Sequence, residues 1–173
     1  MRTLLVLLSI FFCSIVHAEN ITNRIIDIHN SYFMYFSGDG YKELFRTPDG
    51  SSIYGYGLLS NTKALFAFQD PELAEAVAII IVIDTTTGKT IFKKTIGGAG
   101  ETSFDFSDIS GRGVFNDSEG LHIVQFNEGK VTFHSISDIK DKYPYAPFWV
   151  DANTVGYAIN KDEKQMFETI KVP

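Results

Sequence analysis

Residues 58–68 have the sequence LLSNTKALFAF, in which two apolar residues precede a short polar turn and a second apolar run. Residues 114–124 (VFNDSEGLHIV) and residues 148–158 (FWVDANTVGYA) repeat this pattern without gaps. Apolar runs that are joined by a short polar turn are typical of β-hairpins. Three similar hairpins indicate a β structure that is repeated along the chain.

The sequence around these hairpins has the composition of strands and turns. Ala78–Ile83 is a continuous apolar run, which predicts a strand that is buried on both faces. Glycine-containing turns such as Thr87–Lys89 and Glu128–Gly129 separate further apolar runs. Tyr32–Arg46 resembles the outer half of another such unit. Units of four strands and roughly 40 residues are typical of β-propeller blades.

We therefore predict an all-β fold of antiparallel four-stranded, blade-like sheets that form an incomplete, about three-bladed propeller-like arc. A β-sandwich, whose hairpins would look alike through shared turn chemistry, is the alternative. Two short helices are also expected. Asp70–Ala76 has an N-cap aspartate followed by proline, and Ser137–Lys142 has room for another turn or two.

The N-terminus has the features of an export signal. Arg2 precedes the apolar run Leu4–Val16, and Ala18 offers a small residue at the cleavage position. We predict a cleavable signal peptide over residues 1–18 and a single β domain over residues 19–173. The chain has one cysteine, Cys13, which lies in the signal. An exported domain without cysteine favours the periplasm of a bacterium.

The charge of the chain indicates which partners to expect. The net charge is −6, and removal of Arg2 with the signal makes it one unit more negative. An acidic surface disfavours binding to nucleic acid and to anionic membranes, and it suits a basic protein partner. We expect no insertion into the membrane after the signal has been cleaved.

The sequence predicts no catalytic residue, no metal site and no cofactor, so we expect a protein that is not an enzyme. His29, His122 and His134 are not spaced as zinc ligands, and neither a nucleophile elbow nor a P-loop is present. We expect His122 and His134 to point outward or to be satisfied by hydrogen bonds. Asp105 and Asp108 are candidates for a carboxylate pair, although spacing alone does not identify one.

Several short features of the chain together resemble a known family. They are the first hairpin, the strand and turn that run to Lys89, the segment Asp108–Gly111, Asp117 and the pair Gly120–Leu121. These features resemble the periplasmic immunity proteins that protect bacteria from peptidoglycan amidases of type VI secretion. The resemblance covers roughly the middle third of the chain. It implies an open, blade-like β protein that inhibits a toxin by inserting a loop into the cleft of the hydrolase.

The corresponding loop in this chain is Gln69–Ala76, whereas the loop of the family is small and rich in serine. The resemblance implies that its residues bind the partner, which would be a basic peptidoglycan hydrolase effector. Pro71 stiffens the start of the loop, the acidic side chains suit basic residues of a cleft, and Leu73 is the apolar anchor. The predicted partner-binding residues are Gln69, Asp70, Pro71, Glu72, Leu73 and Glu75.

Two other functions stay open at this point. One is a non-catalytic, propeller-like scaffold or ligand-binding module of the cell envelope. The other is a hydrolase, which would need two carboxylates, or a histidine and a carboxylate, to converge in a cleft.

Overall fold

The computed structural model describes residues 23–29, 32–37, 41–48, 51–69, 77–97 and 102–172. The predicted signal peptide and most of the predicted partner-binding loop lie outside these ranges. The described residues form these strands: β1 (Asn23–His29), β2 (Tyr32–Ser37), β3 (Tyr41–Arg46), β4 (Ser52–Ser60), β5 (Lys63–Gln69), β6 (Val77–Asp84), β7 (Thr90–Gly97), β8 (Phe104–Ser107), β9 (Arg112–Asp117), β10 (Gly120–Asn127), β11 (Lys130–Ile136), β12 (Tyr145–Asp151), β13 (Thr154–Lys161) and β14 (Lys164–Lys171).

The strands pair antiparallel with their neighbours in sequence and form four sheets. The first sheet contains β1–β3, the second β4–β7, the third β8–β11 and the fourth β12–β14. The prediction of an all-β, propeller-like arc that does not close is confirmed. The sandwich alternative is wrong, because the strands are divided among four sheets instead of two.

The three hairpins of the sequence repeat are all present, but they do not occupy equivalent places. Residues 58–68 and 148–158 join the first and second strands of their sheets, whereas residues 114–124 join the second and third. Shared turn chemistry therefore accounts for part of the repeat. The predicted helix at Ser137–Lys142 is confirmed as a 3₁₀ helix that connects the third sheet to the fourth.

The core consists of three apolar layers between successive sheets. Alternation along β6 divides its side chains between two of these layers. Ile79, Ile81 and Ile83 pack with Leu44 of the first sheet. Ala78, Ile80 and Val82 pack toward Phe115 and Val124 of the third sheet, as do Leu65 and Ala67. The prediction that this strand is buried on both faces is confirmed.

The third layer joins the third and fourth sheets. Val114, Leu121 and Ile123 lie on one side of it, opposite Val155, Tyr157 and Ile159 of β13. The half-buried Trp149 packs against this layer. The backbone N–H of Trp149 also donates to Asp105 Oδ2 at 2.8 Å, which connects β12 to β8.

Glycines in β4 allow the second and third sheets to approach closely at their first strands. The ring of Phe104 occupies the space that a Cβ atom on Gly55 would need, and the ring of Phe106 does the same at Gly57. Because these contacts follow the same order along both strands, β4 and β8 run in the same direction. The turns that join first and second strands therefore lie at one end of the arc, which we call the turn end.

Substitution of Gly57 by alanine tests this contact. The added methyl group collides with the ring of Phe106, and we expect the free energy of unfolding to fall by about 1–3 kcal/mol, the usual cost of overpacking. Urea denaturation measures the change. In a Phe106→Ala background the same substitution has room, so a double-mutant cycle should show a large coupling energy. Additive effects in the cycle would contradict the contact.

Candidate functional site

The predicted partner-binding loop begins at the end of the arc opposite the turn end. Gln69 is the last residue of β5, is half-buried and pairs with Ser52 and Ala78. Asp70, Pro71, Glu72, Leu73 and Glu75 lie outside the described residues. The turn between β9 and β10 lies at this same end, since the second and third sheets run in the same direction. Glu119, an exposed acidic residue, belongs to that turn.

A hydroxyl, an imidazole and a carboxylate form a hydrogen-bonded series in the third sheet. His122 Nδ1 lies 2.9 Å from Ser135 Oγ, and His122 Nε2 lies 2.7 Å from Asp117 Oδ1. His122 and Ser135 are paired residues of β10 and β11, so the sheet itself sets this geometry. The order of groups matches that of a nucleophilic triad.

The surroundings of His122 indicate a structural role for this series. His122 is 4% exposed, and its imidazole stacks on the ring of Phe133, with 5.0 Å between the centroids. Asp117 Oδ1 also accepts the N–H of Glu119, which holds the β9–β10 turn. The prediction that His122 is satisfied is confirmed, and His134 is exposed as predicted. The candidate pair Asp105 and Asp108 is not brought into a common cleft: Asp105 bonds to Trp149, and Asp108 is exposed.

The fourth sheet has one face that no described sheet covers, which we call the end face. Since Val155, Tyr157 and Ile159 point toward the third sheet, Gly156 and Ala158 point to the end face. Their partners across the sheet are Phe148 and Phe167. The two phenylalanine rings meet edge to face at 6.3 Å, and they are 39% and 65% exposed. Val150, on the same strand as Phe148, is also exposed.

Hydrogen bonds stabilise charged groups where the 3₁₀ helix contacts β14. Lys142 Nζ donates to Glu168 Oε2 at 2.6 Å, and the hydroxyl of Tyr157 donates to the same oxygen at 2.9 Å. These two bonds, Lys142 first, hold the pKa of Glu168 below its usual value. Burial, followed by the bond to Glu168, raises the pKa of Tyr157 to about 12. Lys142 and Glu168 border a cleft of about 360 Å³.

A second, polar cleft of about 310 Å³ lies at the turn end, between the third and fourth sheets. It contains the buried Arg112, a residue that the sequence did not single out. The described part of the chain contains no group of three residues suited to bind a metal ion. Within the same part, no helix is long and apolar enough to cross a membrane.

Comparison with known proteins supports the fold and nothing finer. No protein-family model matches the sequence, and no curated protein matches it. A structure from a study of two prolyl endopeptidases is similar over 86% of this chain, with 14% identity and a TM-score of 0.51. That neighbour contains a propeller. The chain spans 24% of its length, and at this identity the similarity is one of fold alone.

A protein of unknown function from Bacteroides caccae is also similar. It has 13% identity and a TM-score of 0.40 over 84% of this chain and 56% of its own length.

The ion pair of Glu168 makes a prediction about acid stability. Because folding lowers the pKa of Glu168, its contribution is present above the unfolded-state pKa of about 4.3 and is lost as the pH falls through the folded value. The variant Glu168→Gln should therefore show a weaker decrease in stability below about pH 4.5. Urea denaturation between neutral and acidic pH measures it.

The variant Lys142→Met removes the cation that lowers the pKa of Glu168. Its stability should therefore also decrease less than that of the unmodified protein over the same acidic pH range. A Glu168→Gln profile parallel to that of the unmodified protein would show that this pair does not contribute to the acid dependence.

Proposed function

We propose that this protein is a non-catalytic inhibitor that acts in the periplasm, as an immunity protein against an envelope-targeting hydrolase. The exposed end face is the observation that carries the proposal. The partner of this protein is a basic protein with an apolar contact surface, since the full chain has a net charge of −6 and removal of the predicted signal makes it one unit more negative.

Exposed aromatic residues on the end face support binding to a protein. The other layers between the described sheets are closed by apolar side chains from both sides, whereas Phe148 and Phe167 have no covering sheet among the described residues. Adjacent exposed aromatic rings of this kind are typical of interaction sites, where they act as anchors. Ala158 and Gly156 form a flat base under the rings, so little ordering is needed when a partner binds.

The residues Asp70, Glu72 and Glu75 stay the proposed charged contacts of the partner. They belong to the connection between Gln69 and Val77, and Gln69 lies at the end of the arc where the exposed Glu119 also lies. Carboxylates favour a partner with lysine or arginine residues in its cleft, and such pairs mainly accelerate association. The end face then supplies the apolar contacts that slow dissociation.

A ligand-binding module of the envelope is the second candidate function. It is favoured by the polar cleft at the turn end, in which a buried arginine lies beside uncharged polar groups.

The product of the neighbouring gene is the first partner to test. The two purified proteins should form a stable complex, and the protein should stop the hydrolysis of isolated peptidoglycan. We expect Phe167→Glu to weaken binding by about 30-fold or more, because the loss of a central aromatic anchor costs about 2 kcal/mol. Isothermal titration calorimetry measures the affinity.

Ile91→Glu is the matched control. Ile91 is 45% exposed on β7 of the second sheet, away from the end face, and its substitution should leave the affinity unchanged. A further variant with Asp70, Glu72 and Glu75 changed to lysine should slow association. The proposal fails if the neighbouring product neither binds nor degrades the cell wall, or if Phe167→Glu inhibits as well as the unmodified protein.

A further inference from the structure

β14 is an open edge of the fourth sheet. Among the described residues it pairs with β13 on one side and with no strand on the other. The second and third sheets each have four strands, whereas the fourth has three. An edge strand presents a row of backbone N–H and C=O groups that can pair with another chain. With eight residues, β14 is longer than the short edge strands by which proteins avoid such pairing.

The hairpin before β14 determines which of its backbone groups face outward. Asp162 and Glu163 have φ of 51° and 62°, as in a two-residue type I′ turn. The residues that flank this turn, Lys161 and Lys164, form a hydrogen-bonded pair. Hydrogen-bonded and non-hydrogen-bonded pairs then alternate without interruption, so the N–H and C=O groups of every second residue point away from β13. These residues are Gln165, Phe167, Thr169 and Lys171.

The side chains of β14 do not protect this edge from pairing with a second copy. Lys164 and Lys171 lie at the two ends of the strand, and the residues between them include neither lysine nor proline, which usually protect an edge. The outer strand of the second sheet differs, since β7 has Lys93 and Lys94 in its middle, where a second copy would bring like charges together. β14 also contains the acidic Glu168, so it carries both signs of charge.

We propose that two copies of this chain pair antiparallel through β14, about a twofold axis at Phe167. The two fourth sheets then form one continuous sheet of six strands, three from each copy. In this register the outward backbone groups of Phe167 face those of Phe167 in the second copy, and those of Gln165 face those of Thr169. Three hydrogen-bonded pairs result, and each exchanges two backbone bonds. Because the contact is symmetric, it closes on itself and covers both β14 edges.

Charge and pairing favour this register over its neighbours. It places Lys164 diagonal to Glu168 of the second copy, within reach of a long side chain, and the symmetry makes this contact twice. It also sets the two Phe167 rings opposite each other. A twofold axis at Glu168 would instead oppose two carboxylates directly, and an axis at Met166 would form one backbone pair fewer. Physiological salt screens the net negative charges of the two copies beyond about 8 Å, whereas these contacts are short.

The dimer and the proposed hydrolase complex use different groups of β14. Pairing with a second copy uses the backbone along the edge, whereas the end face offers the side chains of Phe148 and Phe167. The two end faces lie side by side on one surface of the six-stranded sheet and stay open to a partner. The inference therefore goes beyond the proposed function, and each can fail without the other.

Sedimentation equilibrium of the purified protein tests the dimer. We expect a monomer–dimer equilibrium that Thr169→Pro weakens at least about tenfold, because proline removes one outward N–H from each copy and so breaks two backbone bonds. Proline is tolerated on an edge where its nitrogen faces outward, so the variant should fold. Thr169→Val is the matched control, since it keeps the N–H and the size of the side chain, and it should dimerise like the unmodified protein. Thermal unfolding checks that both variants are folded.

Introduced cysteines test the register, and they decide the question if the proline variant does not fold. Cys13 is first replaced by serine, which removes the chain's own thiol. Phe167→Cys should then form a disulfide-linked dimer on oxidation, because paired residues at the twofold axis have Cα atoms about 5.5 Å apart. Gln165→Cys is the control. Gln165 is exposed on the same edge, but its counterpart lies four residues along the register, too far for a disulfide.

Three results would overturn the proposal. They are a protein that stays monomeric up to about 1 mM, a folded Thr169→Pro variant that dimerises as well as Thr169→Val, and equal disulfide formation in Phe167→Cys and Gln165→Cys.

Discussion

The close contact between β4 and β8 determines how the rest of the structure is arranged. Phe104 and Phe106 lie against Gly55 and Gly57, and no larger residue fits at either glycine without displacing a ring. This contact fixes the distance between the second and third sheets and the common direction of their strands. As a result, the turns that join first and second strands lie at one end of the arc, and Gln69, the last residue of β5, lies at the other. The polar cleft and the first residue of the predicted partner-binding loop are therefore at opposite ends of the molecule.

The arc ends in a sheet whose outer face remains apolar and exposed. Between the described sheets, each apolar layer is completed by side chains from two neighbours, so every strand of the interior is stabilised from both sides. The end face also carries apolar side chains, but no second sheet among the described residues packs against them. A closed propeller has no such face. In our account this open end is the apolar part of the interface, and the acidic residues between Gln69 and Val77 are its charged part.

Much of the fold could be predicted from the sequence, because local patterns determine it. The apolar run Ala78–Ile83 predicts its buried strand, and glycine identifies the tight turn at Glu128–Gly129. The tight turn at Asp162–Glu163 escaped prediction, since both residues adopt positive φ without a glycine. The place of residues 114–124 in their sheet was not predictable either, because similar hairpins share one local pattern. Arg112 and Asn153 are brought together only by the packing of two sheets, and no local signal reveals such a cleft.

Hydroxyl-radical footprinting of the complex with the partner hydrolase tests the central claim most directly, since it reports the exposure of individual side chains. In the free protein Phe148, Phe167 and Ile109 of the β8–β9 turn are all exposed, so all three should be oxidised. Our account predicts that the partner protects Phe148 and Phe167 and leaves the oxidation of Ile109 unchanged. Equal oxidation of Phe148 and Phe167 in the free and bound protein would show that the end face is not the binding surface.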